Sequence, residues 1–245
     1  MTEASSGNGA VTVVLVHGAF ADGSGWAGVI ERLQAADIPV RAIVNPLRGI
    51  AADSAYVASV LSQIPGRVLA VGHSYGGAII TNAATDGGNV VGLVYVAAFA
   101  PDEGEKLQDI EAGSTDSVLN AAIRPSNYPA VSGSGTEVEF SIDAAAFHDA
   151  FAGDLPARDA AILCAAQRPV AAAAFGEENG PAAWKHLPAW AVVATGDKAA
   201  GADVVLSMAK RAKAQITEVE GSHVIMISQP QVVTDTIMKA LQSVA

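Results

Sequence analysis

A single α/β domain is the fold class the sequence predicts, built on a doubly wound, mostly parallel sheet with a cap inserted late in the chain. Four observations predict it. Of 245 residues, 51% are hydrophobic and 16% charged, ample apolar chain for one large core. The excess is Ala and Val, with aromatics only 5%, and such small side chains suit helices packed closely on a sheet. Short β-branched runs alternate with helical segments, the pattern of a parallel sheet covered on both faces. Finally, that rhythm breaks near residue 100 and resumes near 188.

The elements follow in order. Residues 11–16 (VTVVLV) form an unbroken β-branched run, as expected of a strand buried on both faces. It stops at His17-Gly18, and a helix is expected over 25–35. A second strand at 40–44 precedes a helix at 53–63, which Asp53 or Ser54 would cap. A third strand at 67–71 (RVLAV) breaks at Gly72-His73-Ser74-Tyr75-Gly76-Gly77, before a helix at 78–84 and a fourth strand at 90–97. Residues 100–187 read as the cap. They carry turn-like Pro125-Ser126-Asn127-Tyr128-Pro129, a second turn at Ser132-Gly133-Ser134-Gly135, and Ala-rich helices including 171–174. Strands return at 190–195 and 215–219, and a helix at 231–244 closes the chain. The core is thus expected over 1–99 and 188–245.

Charge and cysteine content exclude some functions. With 14 Lys+Arg against 25 Asp+Glu, the net charge of −11 argues against nucleic-acid and anionic-membrane partners. A lone cysteine, Cys164, allows neither an internal disulfide nor a multi-cysteine metal site, and reads as a buried helical residue. The first ten residues lack a signal-peptide pattern and read as a flexible arm, and the apolar run at 90–100 is too short to span a bilayer. A cytoplasmic location is expected. No dinucleotide fingerprint, phosphate-binding loop or zinc motif follows the required pattern, so neither cofactor nor metal is expected.

The chemistry concentrates at Gly72-His73-Ser74-Tyr75-Gly76. A strand turning abruptly into a helix strains the residue between them and needs small neighbours two positions to either side, which Gly72 and Gly76 supply. Ser74 would then stand at a helix N-terminus, where developing negative charge is favoured. It needs a base, and five histidines compete. His73 is aimed away by the turn, His17 reads as a loop-stabilising residue, and His148 and His186 fall in the cap. His223, after the last strand, matches the chain order serine, acid, histidine. For the acid, Asp197 follows the strand at 190–195, with Asp102 as its competitor. Main-chain N–H groups of Ala19 and Tyr75 are the expected oxyanion donors, leaving both side chains to shape the pocket. Phe20, Phe99, Phe147 and Trp184 are the expected pocket walls.

With these residues placed, the chain resembles the α/β-hydrolases, and within them the small esterase and hydroxynitrile-lyase branch that includes plant methyl esterases. The likeness rests on VLVHGAFADGSGW (14–26), VGHSYGGAII (71–80), VYVAAFAPDEGE (94–105), WAVVATGDK (190–198) and VEGSHVIMISQP (219–230). The cap is matched weakly. The resemblance implies Ser74, Asp197 and His223 as the triad, Ala19 and Tyr75 as oxyanion donors, and a six-stranded sheet lacking the two N-terminal strands of larger relatives. Lyases of the branch carry Thr where Gly18 stands and Lys where Val224 follows the histidine. Those departures favour a serine esterase acting on a small ester. The alternatives are lyase or cofactor-free oxygenase chemistry, or a ligand-binding receptor with a residual triad. A homodimer is among the assemblies the sequence allows.

Overall fold

A computed structural model describes residues 11–85, 88–130 and 133–244. The N-terminal arm, Val131, and Ser132 of the second expected turn lie outside them. A six-stranded parallel sheet forms the core, in the order β2-β1-β3-β4-β8-β9. Its strands are β1 (Thr12–Val16), β2 (Val40–Ile43), β3 (Val68–His73), β4 (Val90–Val96), β8 (Ala189–Ala194) and β9 (Gln215–Val219). Every residue of β3 and β8 is buried, as continuous apolar runs demand when both faces of a sheet are covered.

Helices α1 (Ala27–Ala35) and α11 (Pro230–Val244) pack together, as do α2 (Ile50–Ser62) and α3 (Tyr75–Ala83), while α9 (Ala202–Arg211) and α10 (Ile225–Ser228) flank β9 in the chain. Helix α2 begins three residues before the expected Asp53 cap. Gly49 caps it, while the Asp53 carboxylate reaches back to accept the N–H groups of Arg48 (3.0 Å) and Gly49 (3.4 Å).

Strand order decides where a site can form. The chain leaves β1 for β2 on one side, then returns to β3 on the other. The loops after β1 and β3 therefore diverge, opening a crevice at their carboxyl ends.

Between adjacent strands β4 and β8 the chain adds α4 (Leu107–Ala112), α5 (Leu119–Ala122), β5 (Ile123–Pro129), β6 (Thr136–Ile142), α6 (Ala144–Phe151), α7 (Ala157–Ala166), β7 (Val170–Ala171) and α8 (Ala173–Gly176). Here three expectations are corrected. The Pro125–Pro129 segment is strand β5, antiparallel to β6, not a turn. It lies at the edge of the β5-β6-β7 sheet, where proline's missing N–H leaves no ladder bond unmade. The 171–174 alanine run is likewise divided, with Ala171 ending β7 and Ala173 opening α8. Cys164, on α7, is half-buried rather than buried. Among the described residues no helix is long and apolar enough to cross a membrane.

Candidate active site

Ser74 sits between β3 and α3 with φ 52° and ψ −125°, a left-handed conformation costly for a side chain with a Cβ. Packing imposes it. A Cβ on Gly72 would stand 2.5 Å from the Gly76 carbonyl oxygen, and one on Gly76 2.4 Å from that of Val16. Only glycine at both positions lets strand, turn and helix approach this closely. Tyr75 opens α3, so its N–H has no acceptor within the helix.

The Tyr75 side chain differs from expectation. It turns away from the cavity and is fully buried, and its hydroxyl donates to Asp53 Oδ2 at 2.8 Å. Burial, reinforced by Asp53, pushes the Tyr75 pKa well above the usual phenol value, and burial also raises that of Asp53. Tyr75→Phe removes a hydrogen bond to a buried carboxylate while leaving the main-chain N–H in place. It is expected to cost about 1.5–3 kcal/mol in urea unfolding, with little change in turnover.

His223 follows β9. Its Nδ1 lies 2.8 Å from Asp197 Oδ2, and both side chains are almost fully buried. The other carboxylate oxygen of Asp197 accepts the N–H groups of Ala199 (2.9 Å) and Ala200 (3.0 Å). Asp102 stands apart, paired with Lys185 at 2.5 Å and about one-third exposed, so the geometry joins His223 to Asp197 and not to its competitor. The loop carrying Asp197 is held from outside as well. Val118 N–H donates to the Lys198 carbonyl (2.8 Å), Ser117 Oγ to that of Ala199 (2.7 Å), and Ser114 Oγ and Thr115 N–H to the Asp203 carboxylate (2.5 and 2.8 Å).

Two further histidines brace the site. His73 donates from Nε2 to the His223 carbonyl (2.9 Å), and its ring lies 4.7 Å from that of His223. Burial, with His223 adding to it, holds the His73 pKa well below the ordinary value, so its ring is neutral. His17 donates from Nδ1 to the Gly18 carbonyl (2.9 Å) and accepts from Asn45 N–H (3.0 Å) and Arg168 (3.2 Å) at Nε2. Burial lowers its pKa too. His148 and His186 are exposed.

Ser74 and His223 face a small cavity of about 10 Å³ lined also by Ala19, Phe20, Phe99, Leu119, Phe151, Phe175, Ala199 and Ala200. No hydrogen bond joins Ser74 Oγ to His223 here, and such contacts commonly tighten only once substrate binds. Of the expected walls, Phe20 and Phe99 line the cavity. Phe147 and Trp184 do not. Phe147 lies behind Phe151 with ring centroids 5.1 Å apart; the two are four residues apart on α6 and so share a face. Trp184 donates to the Pro101 carbonyl (3.0 Å) and packs under Arg211. Sequence reasoning missed Phe151 and Phe175. The i, i+4 spacing from Phe147 pointed to the first, whereas the second is hidden at the end of an alanine run.

Residues 13–236 match the profile of the alpha/beta hydrolase family. The chain belongs to that family. A search of curated protein sequences finds no significant match. Among solved structures, this hydrolase-family chain is similar to a polyneuridine aldehyde esterase (19% identity, TM-score 0.79, 95% of this chain and 99% of that one). A methylesterase from Arabidopsis matches at 17% identity and TM-score 0.75, over 95% and 99%. A pyrethroid hydrolase from Sphingobium faniae JZ-2 matches at 20% and 0.73, over 96% and 98%. At these identities the likeness is one of fold, and the alpha/beta hydrolase sheet is its common element.

Proposed function

We propose that the protein is a serine esterase cleaving small carboxylic esters, with Ser74 as nucleophile, His223 as base and Asp197 as the acid that orients it. The observation that carries this reading is the buried His223–Asp197 contact of 2.8 Å beside a serine in a strained strand-to-helix turn. His223 takes the Ser74 proton as Oγ attacks the ester carbonyl, and Asp197 stabilises the imidazolium. The Tyr75 and Ala19 N–H groups hold the oxyanion, each worth about 10²–10³ in rate. The alcohol leaves with the proton from His223, and water then releases the acid by the same steps. Residues 100–187 act as a cap whose Leu119, Phe151 and Phe175 keep water from the acyl-enzyme.

Position 18 supports ester over lyase chemistry. A Cβ there would stand 2.6 Å from Ser74 Cβ and 2.8 Å from the His73 carbonyl, so a threonine, as in the lyases, requires the nucleophile to move. Val224, beside His223, is buried and apolar, offering no cation to a leaving anion.

A fluorophosphonate probe followed by peptide mass spectrometry tests the reading, together with an ester library monitored by a pH indicator. The expected result is one label, on Ser74, and many turnovers on at least one ester. Label without turnover would point to a receptor, and absence of both would overturn the assignment.

A further inference from the structure

Beside the catalytic cavity lies a second pocket of about 110 Å³, open at exposed Gln108 and Asn120 and lined also by Glu111, Leu119, Ile123, Phe140 and Phe175. Leu119 and Phe175 line both spaces, so these two side chains form the partition between them. Phe175 continues a row of rings, 6.4 Å from Phe20 on the catalytic side and 6.4 Å from Phe140 on the pocket side.

The two spaces differ in chemistry. Apart from Ser74 and His223, the catalytic cavity is apolar, while the second pocket brings a carboxyl and two amides together opposite an apolar wall. Glu111 is only 6% exposed, and burial raises its pKa against the opposing hydrogen bonds of Ser117 and Asn120. Its clearest donor is shared. Ser117 Oγ lies 2.9 Å from Glu111 Oε1 and 2.7 Å from the Ala199 carbonyl, and one hydroxyl proton serves one acceptor at a time. Asn120 donates to Glu111 as well, and an ionised carboxylate has about four lone-pair sites, so Glu111 keeps acceptor capacity for a ligand's donor.

Resting on the esterase reading, we propose that this pocket is a second substrate subsite, taking a hydrogen-bond-donating terminus (hydroxyl or ammonium) carried by the ester on a short apolar stem, with Glu111 as its acceptor. The stem passes Leu119 and Phe175, and the ester carbonyl stays beside Ser74. A substrate ending in a methyl group leaves that remaining acceptor capacity of Glu111 unused. Sites built to hydrogen-bond a polar group discriminate strongly against analogues that lack it.

Matched esters of equal length test this in both orientations. Methyl 6-hydroxyhexanoate and methyl 6-aminohexanoate are compared with methyl hexanoate, and 6-hydroxyhexyl and 6-aminohexyl acetates with hexyl acetate. The wild-type protein is expected to favour a donor-bearing ester in at least one orientation by about tenfold or more in kcat/KM. Glu111→Met should erase that preference, the ratio of kcat/KM for donor-bearing over apolar ester falling to about one. Glu111→Gln, close to isosteric, should retain the hydroxyl preference and lose the ammonium one, a split that misfolding does not produce. Equal rates for all esters, or a preference that survives Glu111→Met, would overturn the subsite. If no ester turns over, the esterase reading fails separately. Calorimetric binding of hexylamine then decides the pocket: affinity about tenfold weaker in Glu111→Gln sustains it, and equal or absent binding removes it.

Discussion

Replacing Ser74 with alanine is expected to lower kcat on any ester the protein hydrolyses by a factor on the order of 10⁶, to the residual rate that oxyanion donors and binding supply alone. The substitution deletes one oxygen and keeps the Cβ. Alanine therefore meets the same φ of 52° at similar cost, and the packing of Gly72, Gly76 and Gly18 around the turn is untouched. Thermal unfolding should move by no more than a few degrees. Activity lost together with the cooperative transition would report a folding defect. A stable variant that retains full activity would remove Ser74 from the mechanism.

Asp197→Asn is the second large effect, an expected loss of about 10⁴ in kcat, and the hydrogen bonds of this site dictate its direction. Ala199 and Ala200 N–H groups both point at one carboxylate oxygen. In the variant that place must be taken by the amide oxygen, because the amide NH₂ has no acceptor there. The NH₂ then faces His223 Nδ1 and forces it to accept, which moves the ring proton to Nε2, the nitrogen that must take the proton from Ser74. The base is thus held in the wrong tautomer. Asp102→Asn provides the contrast: it breaks a partly exposed pair with Lys185, worth at most about 1 kcal/mol, and should leave kcat within about twofold. Steady-state kinetics on the two variants check the assignment of the acid, and a reversed order of effects would transfer the role to Asp102.

Much of the core was readable because main-chain constraints there are severe. The strained turn at Ser74 tolerates only glycine two residues to either side, and Ser74, Asp197 and His223 follow β3, β8 and β9 in strand order. Side-chain direction within the cap was not readable in this way. Phe147 and Phe151 share one face of α6, and which of them meets the cavity depends on how the helix tilts, a tertiary property. The phenol of Tyr75 was expected in the pocket, but its direction is fixed by a carboxylate twenty-two positions away. Proline at 125 and 129 reads as a turn until the strand is known to lie on an edge. Phe175 follows four alanines, and nothing local distinguishes it from a core residue.

The docking of residues 114–118 on the loop that carries Asp197 has a consequence for recombining this protein with its structural relatives. By position in the chain these residues belong with the inserted segment, yet their hydrogen bonds serve the loop of Asp197. A chimera that exchanges 100–187 whole for another relative's insert severs these bonds, and its donor segment arrives without knowledge of the loop it must grip. Placing the graft point after Ala122 keeps the grip native and trades only the rest of the inserted segment. Of two such chimeras, the shorter exchange should keep fluorophosphonate labelling of Ser74 near the parental rate, and the longer should slow it. The useful seam for engineering substrate range therefore lies about twenty residues inside the boundary that the strand rhythm suggests.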